Sequence, residues 1–266
     1  SEKRMKKKTN RHKYLAGHQR SWIWGCHAVT EILDAARWSM LDLYLADDLP
    51  PEKLEKCTWQ GAQLGAAVTL VDRKRLRELC GASDHQGFLA RMGPFPYATW
   101  AEVEEMQKTV TAPPRYLVLD AMRDAHNFGA IIRSAAALQA TAIIVGAMDQ
   151  APVNNHVARA SAGAVNRIPI MQVASLVKTM RDLAEQGVAC VAAEPNGSVP
   201  VWSYDFKQPT AVVLGNESAG IRNDILDLCT VHIVIPGNSL LDSLNVAAAN
   251  AAILYEALRQ NHVGVG

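Results

Sequence analysis

A short polar stretch, DSLN at residues 242–245, directly precedes an alanine-rich segment with a helical pattern. Ser243 and Asn245 could cap this helix, because their side-chain oxygens accept hydrogen bonds from the free backbone N–H groups of a first turn. The same helix end could instead hold a polar ligand on those N–H groups and side chains. The residues alone leave both interpretations open, and they give no role to Asn250, which interrupts the helical segment.

Two more polar stretches follow apolar runs in the second half of the chain. DAMRDAHNFGAIIR follows YLVLD, and NESAGI follows TAVVLG. Further apolar runs, TAIIVG, GVACVAAE and VHIVIP, alternate with helical patterns such as residues 174–187. This alternation predicts a mainly parallel sheet with helices on both faces. Ligands of such sheets bind beyond the carboxyl ends of the strands, where all three polar stretches lie.

Several common functional motifs are absent from the sequence. It contains neither G-x-G-x-x-G nor G-x-x-x-x-G-K-[ST], so nothing supports a dinucleotide-binding fold or a P-loop. It also lacks a nucleophile elbow. His126, His156 and His232 show no metal-ligand spacing, and we interpret each as a surface or hydrogen-bonded histidine. Metal-dependent hydrolysis is therefore disfavoured, and we expect no metal.

The N-terminal half predicts a smaller α/β unit. Residues 1–20 hold eight Lys/Arg and one acidic residue, whereas the rest of the chain holds 19 basic and 25 acidic residues. The first 20 residues therefore predict a flexible basic tail, which either binds phosphate groups or is simply solvated. The pattern then predicts a helix in IWGCHAVTEILDAAR, strands in LDLYLADDL and GAAVTLVD, and a basic helix in RKRLRELC that ends at Gly81. We expect the small domain to span 21–93, a proline-flanked linker with a short acidic helix to span 94–114, and a larger domain to span 115–266.

Composition is that of an ordinary globular protein, with 49% hydrophobic and 20% charged residues. The apolar runs are far shorter than the ~20 residues of a membrane span, and the basic N-terminus lacks the apolar core of a secretory signal. We therefore expect no membrane partner and a cytoplasmic location. Five widely spaced cysteines, without a Cys-x-x-Cys pair, indicate neither a disulfide framework nor a zinc site.

Taken together, the three polar stretches resemble the three motifs of the SpoU (TrmH-type) RNA ribose 2′-O-methyltransferases of the SPOUT superfamily. The residues that match are Asn127, Gly129, Ile132 and Arg133 in the first motif, 214–217 with Gly220 in the second, and 243–246 in the third. Upstream, GCHAVTEIL and HQGFLARM resemble the small substrate-binding domain of the branch that methylates 23S ribosomal RNA. The resemblance covers nearly all of the chain after the basic tail.

This resemblance implies an α/β fold in which a C-terminal methyltransferase domain with a parallel sheet is tied into a trefoil knot and follows a small α/β substrate-binding domain. The knotted loop would be IPGNSLLDSLN. It also implies S-adenosylmethionine as cofactor, with backbone groups of Gly215, Ile235 and Leu244 among its contacts. The full set of implied cofactor-binding residues is Leu214, Gly215, Ile235, Leu244 and Val246.

By the same resemblance, the catalytic residues are Arg133, Asn127, Glu217, Ser243 and Asn245. A guanidinium should not act as a free base, so we expect Arg133 to bind the substrate phosphate and the 2′-oxygen while phosphate or water takes the proton. Asn127 would orient Arg133 or the ribose. Glu217 could hold an arginine, face the sulfonium, or simply lie at a helix start.

The family further implies a homodimer, for which the alanine-rich face of residues 246–257 is suited. The expected substrate is structured RNA, a guanosine in a loop of 23S ribosomal RNA near the peptidyl-transferase centre, methylated before ribosome assembly is complete. Transfer RNA is the alternative substrate. A protein that binds RNA or assists ribosome assembly without catalysis is the alternative of a different class.

Overall fold

The computed structural model describes residues 22–238 and 244–261, and their contacts divide the chain into two compact units. One unit holds the described residues up to Pro96 together with Val153–Asn166. The other holds Tyr97–Pro152 and the described residues from Arg167 onward. Val153–Asn166 lies inside the range predicted for the catalytic domain, yet it packs with the N-terminal unit. The predicted basic tail lies outside the described residues.

Helices and strands alternate along most of the chain that the structure describes. The helices are α1 Cys26–Ala35, α2 Pro51–Gln63, α3 Arg73–Cys80, α4 Trp100–Gln107, α5 Ala125–Ala137, α6 Asn155–Ala160, α7 Leu176–Glu185, α8 Asn223–Leu226 and α9 Val246–Asn261. The strands are β1 Trp22–Trp24, β2 Met40–Ala46, β3 Ala67–Val71, β4 Phe88–Met92, β5 Arg115–Leu119, β6 Ala142–Gly146, β7 Ile170–Val173, β8 Ala189–Ala193, β9 Val199–Pro200, β10 Thr210–Leu214 and β11 Val231–Val234.

The N-terminal unit is built on a four-stranded sheet with the order β1-β4-β2-β3. The predicted strands β2 and β3 and the basic helix α3 are confirmed. Helix α3 begins where Asp72 accepts a hydrogen bond from the N–H of Arg75 and ends at Gly81, which has a left-handed φ of 71°. The predicted helical start in IWG was wrong, because residues 22–24 pair with β4 and Gly25, at φ 104°, separates them from α1.

The second unit is built on a seven-stranded sheet with the order β7-β6-β5-β10-β8-β11-β9. All of its strand pairings are parallel, which confirms the predicted sheet. The five apolar runs form β5, β6, β8, β10 and β11, while β7 and β9 were not predicted. Helix α4 is the expected short acidic helix of the 94–114 segment, and it is part of this unit.

Two features of the second unit bring the motif loops together. Strands β5 and β10 are neighbours, so the loops that leave their carboxyl ends meet at one edge of the sheet. Helix α9, which follows the third motif, packs against α5, which carries the first. The expected knot involves residues 239–243, which lie outside the described residues, and it stays a prediction. No helix within 22–238 and 244–261 is long and apolar enough to cross a membrane.

Candidate active site

Helix α5 carries the first motif, from Asn127 in its first turn to Arg133 in its third. Asp124 caps this helix by accepting a hydrogen bond from the N–H of Asn127, at 2.7 Å between Oδ1 and N. The Asn127 side chain therefore projects from the capped first turn, at the carboxyl edge of the sheet. Arg133 lies further along α5 and is exposed. No residue of the described chain hydrogen-bonds or ion-pairs with its guanidinium, which leaves this group available to an anionic ligand.

Hydrogen bonds to Asn127 join the three motifs. Its Nδ2 donates to Oε1 of Glu217 at 2.6 Å, and its Oδ1 accepts from Nδ2 of Asn245 at 3.0 Å. Asn245 also caps α9, because its Oδ1 accepts from the N–H of Ala247 at 2.9 Å. Three of the five predicted catalytic side chains thus form one connected group. Ser243 lies outside the described residues.

The Asn127 contacts refine the roles expected from sequence. Both functional groups of its amide are engaged, one as donor and one as acceptor, so its orientation is set by Glu217 and Asn245. Neither contact involves Arg133. Asn245 caps α9, as one of the two interpretations of the sequence expected, and its Nδ2 contacts another motif residue; ligand binding at this helix end stays a prediction. Glu217 contacts an asparagine rather than an arginine.

The loop of the second motif folds tightly on itself. Asn216 and Gly220 exchange backbone hydrogen bonds of 3.0 and 2.8 Å. A Cβ on Gly215 would lie 2.3 Å from the carbonyl carbon of Gly220, so only glycine fits at this position. Oδ1 of Asn216 accepts from the N–H of Ser218 at 3.0 Å, which holds the turn closed and presents Glu217 at its exposed tip.

This loop is anchored to the chain between β5 and α5 by Asn216 of the second motif and by Asp120 and Arg222, which the sequence analysis did not single out. Nδ2 of Asn216 donates to the carbonyl of Ala121 at 2.9 Å. The carboxylate of Asp120, 1% exposed, accepts from the backbone N–H and from Nε of Arg222 at 2.8 and 2.9 Å. The available sequence signal was an acid directly after a buried strand, at the edge where ligands bind.

The predicted cofactor-binding residues lie at the ends of two strands and of α9. Leu214 ends β10 and is buried, Gly215 follows it, and Ile235 follows β11. Leu244 is 53% exposed just before α9, which begins at Val246. Gly215 and Ile235 make no backbone hydrogen bond to any described residue. Their amide and carbonyl groups therefore form a polar donor and acceptor set that fits the polar groups of S-adenosylmethionine.

The structure also locates the histidine and cysteine side chains that the sequence analysis named. His232 is hydrogen-bonded, because its Nδ1 lies 2.6 Å from Oε2 of Glu194, as expected for a satisfied histidine. All five cysteines have free thiols. Within the described ranges, no group of three His, Cys, Asp or Glu residues could hold a metal ion.

A parallel sheet with converging polar loops and free backbone groups at its carboxyl edge defines an α/β enzyme that binds a small cofactor there. Family comparison makes this specific. The SpoU rRNA methylase family model matches residues 114–255, and the model for the RNA 2′-O ribose methyltransferase substrate-binding domain matches 22–98. The chain belongs to the SpoU rRNA methylase family, as the motifs predicted.

Individual relatives extend the match over most of the chain. A 23S rRNA (guanosine-2′-O-)-methyltransferase RlmB from Ralstonia nicotianae is 31% identical, over 90% of this chain and 95% of that protein. The protein of the same name from Shewanella oneidensis is also 31% identical, over 90% and 96%.

Solved structures agree with this assignment. The SpoU methyltransferase AviRb from Streptomyces viridochromogenes, in complex with AdoMet, is 25% identical with a TM-score of 0.75, over 90% of both chains. An AdoMet-bound rRNA methyltransferase from Sinorhizobium meliloti is 26% identical with a TM-score of 0.76, over 91% of this chain and 88% of that one.

Proposed function

We propose that this protein transfers a methyl group from S-adenosylmethionine to the ribose 2′-oxygen of a guanosine in 23S ribosomal RNA. The observation that carries the proposal is the bridge through Asn127, which joins Glu217 and Asn245 across three loops of one sheet edge. The relatives named as 23S rRNA guanosine methyltransferases support the substrate.

The cofactor, when bound, supplies an electrophilic methyl group on a sulfonium. The backbone groups of Gly215 and Ile235 would hold it, together with Leu214, Leu244 and Val246 at the adjoining strand and helix ends. Glu217 uses one carboxylate oxygen on Asn127, and its second oxygen has no partner among the described residues. That free negative oxygen suits the vicinity of a positive sulfonium.

Arg133 would bind the substrate phosphate and the 2′-oxygen together. It is exposed, and no carboxylate of the described chain neutralises it. A guanidinium does not give up its proton in proteins, so Arg133 would stabilise the developing alkoxide while phosphate or water accepts the proton. Asn245 would fix the nucleophile, since its contact with Asn127 and its capping bonds hold its side chain in one orientation. We expect Ser243 to assist it.

The N-terminal unit would bind a part of the RNA other than the reacting nucleotide. The four cations of α3 are all exposed, but Arg73 pairs with Asp48 at 2.6 Å and Arg75 with Glu78 at 3.3 Å. Lys74 and Arg77 have no acidic partner within the described residues. These two side chains are therefore the better candidates for phosphate contacts.

A homodimer is part of the proposal. Ala248, Ala252 and Tyr255 are exposed at helical spacing along α9, and Tyr255 is 62% exposed. This largely apolar stripe would be covered by a second copy of the chain. A stable and active monomer at micromolar concentration, found by sedimentation, would contradict this.

Since the substrate is ribosomal RNA, we also propose that the protein acts in the cytoplasm.

A ribose-methylation map of total RNA with and without the gene tests the function. We expect one guanosine of 23S RNA, in a loop, to lose its mark, and primer extension at limiting nucleotide concentration to locate it. Arg133→Ala should abolish transfer and leave S-adenosylmethionine binding in calorimetry almost intact. The matched control is Arg123→Ala, because Arg123 is an exposed arginine already paired with Asp149 at 2.7 Å.

The other outcomes point to other functions. A mark lost only from transfer RNA would replace the substrate. No mark lost, with RNA binding retained, would favour the non-catalytic assembly protein.

A further inference from the structure

We propose that Asp120 and Arg222 form a staple that positions the second-motif loop, and that this staple makes the Glu217–Asn127 contact possible. Asp120 lies directly after β5, and its side chain is 2% exposed. Both of its oxygens are used, one by the N–H of Arg222 and the other by Nε. The inference rests on the proposed function, because it assigns Glu217 a part in catalysis.

The geometry makes Arg222 the far anchor of the loop. Asn216 fixes the near end of the loop through the carbonyl of Ala121, and Arg222 fixes the far end through Asp120. Both anchor points belong to the connection that leads from β5 into α5. Glu217 lies between the two anchors, and Asn127 lies on α5, so the staple ties the two partners of the 2.6 Å contact to the same short connection.

The burial of Asp120 makes this arrangement rigid. A carboxylate removed from water keeps its charge only if hydrogen bonds and a nearby cation compensate the lost solvation. Arg222 supplies both, although its own side chain is 57% exposed. Between the anchors, Glu217, Ser218 and Ala219 are all exposed. Packing alone therefore does not fix their positions. The hydrogen bonds of Asn216 within the turn set its shape, and the two anchors set its position at the sheet edge.

A positioning role predicts that Arg222 acts through Glu217. We would measure single-turnover methylation of 23S RNA fragments by the wild type, Arg222→Gln, Glu217→Gln and the double variant. Arg222→Gln should lower the rate by between about tenfold and 100-fold, the scale of a small misplacement, with little change in KM for RNA. In the Glu217→Gln background, the same substitution should change the rate less than about threefold. Arg123→Gln, which removes another exposed ion-paired arginine, should behave as wild type.

Two results would overturn the staple. Independent, multiplying effects of the two substitutions would mean that Arg222 does not act through Glu217. A raised KM for RNA at unchanged rate would make Arg222 an RNA contact instead. Because Arg222→Gln removes the cation beside a buried carboxylate, it should lower Tm, so the rates are compared at a temperature well below the Tm of every variant. Asp120→Asn provides a second variant that weakens the same contact from the other side.

Amide hydrogen exchange gives a test that does not need activity. Arg222→Gln should increase exchange at residues 216–221 at least tenfold, whereas Arg123→Gln should not. Unchanged exchange would overturn the staple. If the wild type fails to methylate any RNA, the proposed function fails, yet the exchange result still decides whether the staple orders the loop.

Discussion

Asn250 offers the sharpest test of the packing between α5 and α9. It is fully buried, its Nδ2 donates to Oγ of Ser134 at 2.8 Å, and its Oδ1 is buried with no partner among the described residues. Ser134 also has alternative acceptors for its hydroxyl proton, the carbonyls of Ala130 and Ile131, each at 3.1 Å. The interface therefore contains one satisfied and one unsatisfied polar group on the same amide.

These contacts determine how two substitutions change the free energy of unfolding. Ser134→Ala deletes the partner of the Asn250 amide and should destabilise the protein by about 1–3 kcal/mol, the cost of a newly unpaired buried donor. Asn250→Ala loses one hydrogen bond and some packing, but it removes the unpaired oxygen and adds helix propensity. These terms are each about 1 kcal/mol and largely cancel. The double variant should therefore be more stable than Ser134→Ala by at least about 1 kcal/mol.

Urea denaturation monitored by circular dichroism measures these differences in the free energy of unfolding, provided that the denaturant m-value is the same for all variants. Asn196→Ala, at an exposed asparagine of the same unit, controls for the substitution itself. The reasoning fails if Asn250→Ala costs more than about 2 kcal/mol and the double variant is no better than Ser134→Ala. Oδ1 of Asn250 would then have a partner in solution that stabilises it.

Three further predictions follow from other parts of the chain. Gly215→Ala should weaken S-adenosylmethionine binding more than about tenfold in calorimetry, because its Cβ would overlap backbone of the same loop, while Gly146→Ala, whose Cβ would make only ordinary contacts at 3.7 Å with described residues, should not. A maleimide at pH 8 should modify the half-exposed Cys26 before Cys229, and mass spectrometry of the labelled protein measures this. Burial raises the pKa of Cys229 to about 12, so only about 1 in 10⁴ of its thiol groups is the reactive thiolate at pH 8. Deleting residues 1–20 should flatten the salt dependence of RNA binding by about 0.7 per lost phosphate contact, and an unchanged slope would contradict a role for the tail.

The strands of the second unit were predictable because a parallel sheet buried on both faces is built from continuous apolar runs. TAIIVG and TAVVLG show this pattern clearly, and both form strands. Strand β9 has only two residues, too few for any pattern. Helix α2 was missed because the segment is mostly polar, and only Cys57 and Gly61 are buried along its 13 residues.

The sequence could predict the residues of the site that belong to recognisable motifs, but not the contacts between them. Asn127 is 90 residues from Glu217 and 118 from Asn245, and no local pattern encodes such pairings. Their residue types and order were recognisable, but the bridge through Asn127 depends on the order of strands in the sheet. The Asp120–Arg222 contact spans 102 residues and had no motif to indicate it.

The placement of Val153–Asn166 with the N-terminal unit has a consequence for how this protein is made. The chain passes between the two units three times, so neither is a continuous piece of sequence. Arg159, from the inserted segment, pairs with Asp84 and lies over the ring of Trp24 at 4.9 Å. A fragment that ends at Pro96 would lack that cover. During synthesis the first unit therefore cannot fold completely until residue 166 has left the ribosome. By then β5 and β6 of the second unit have already emerged.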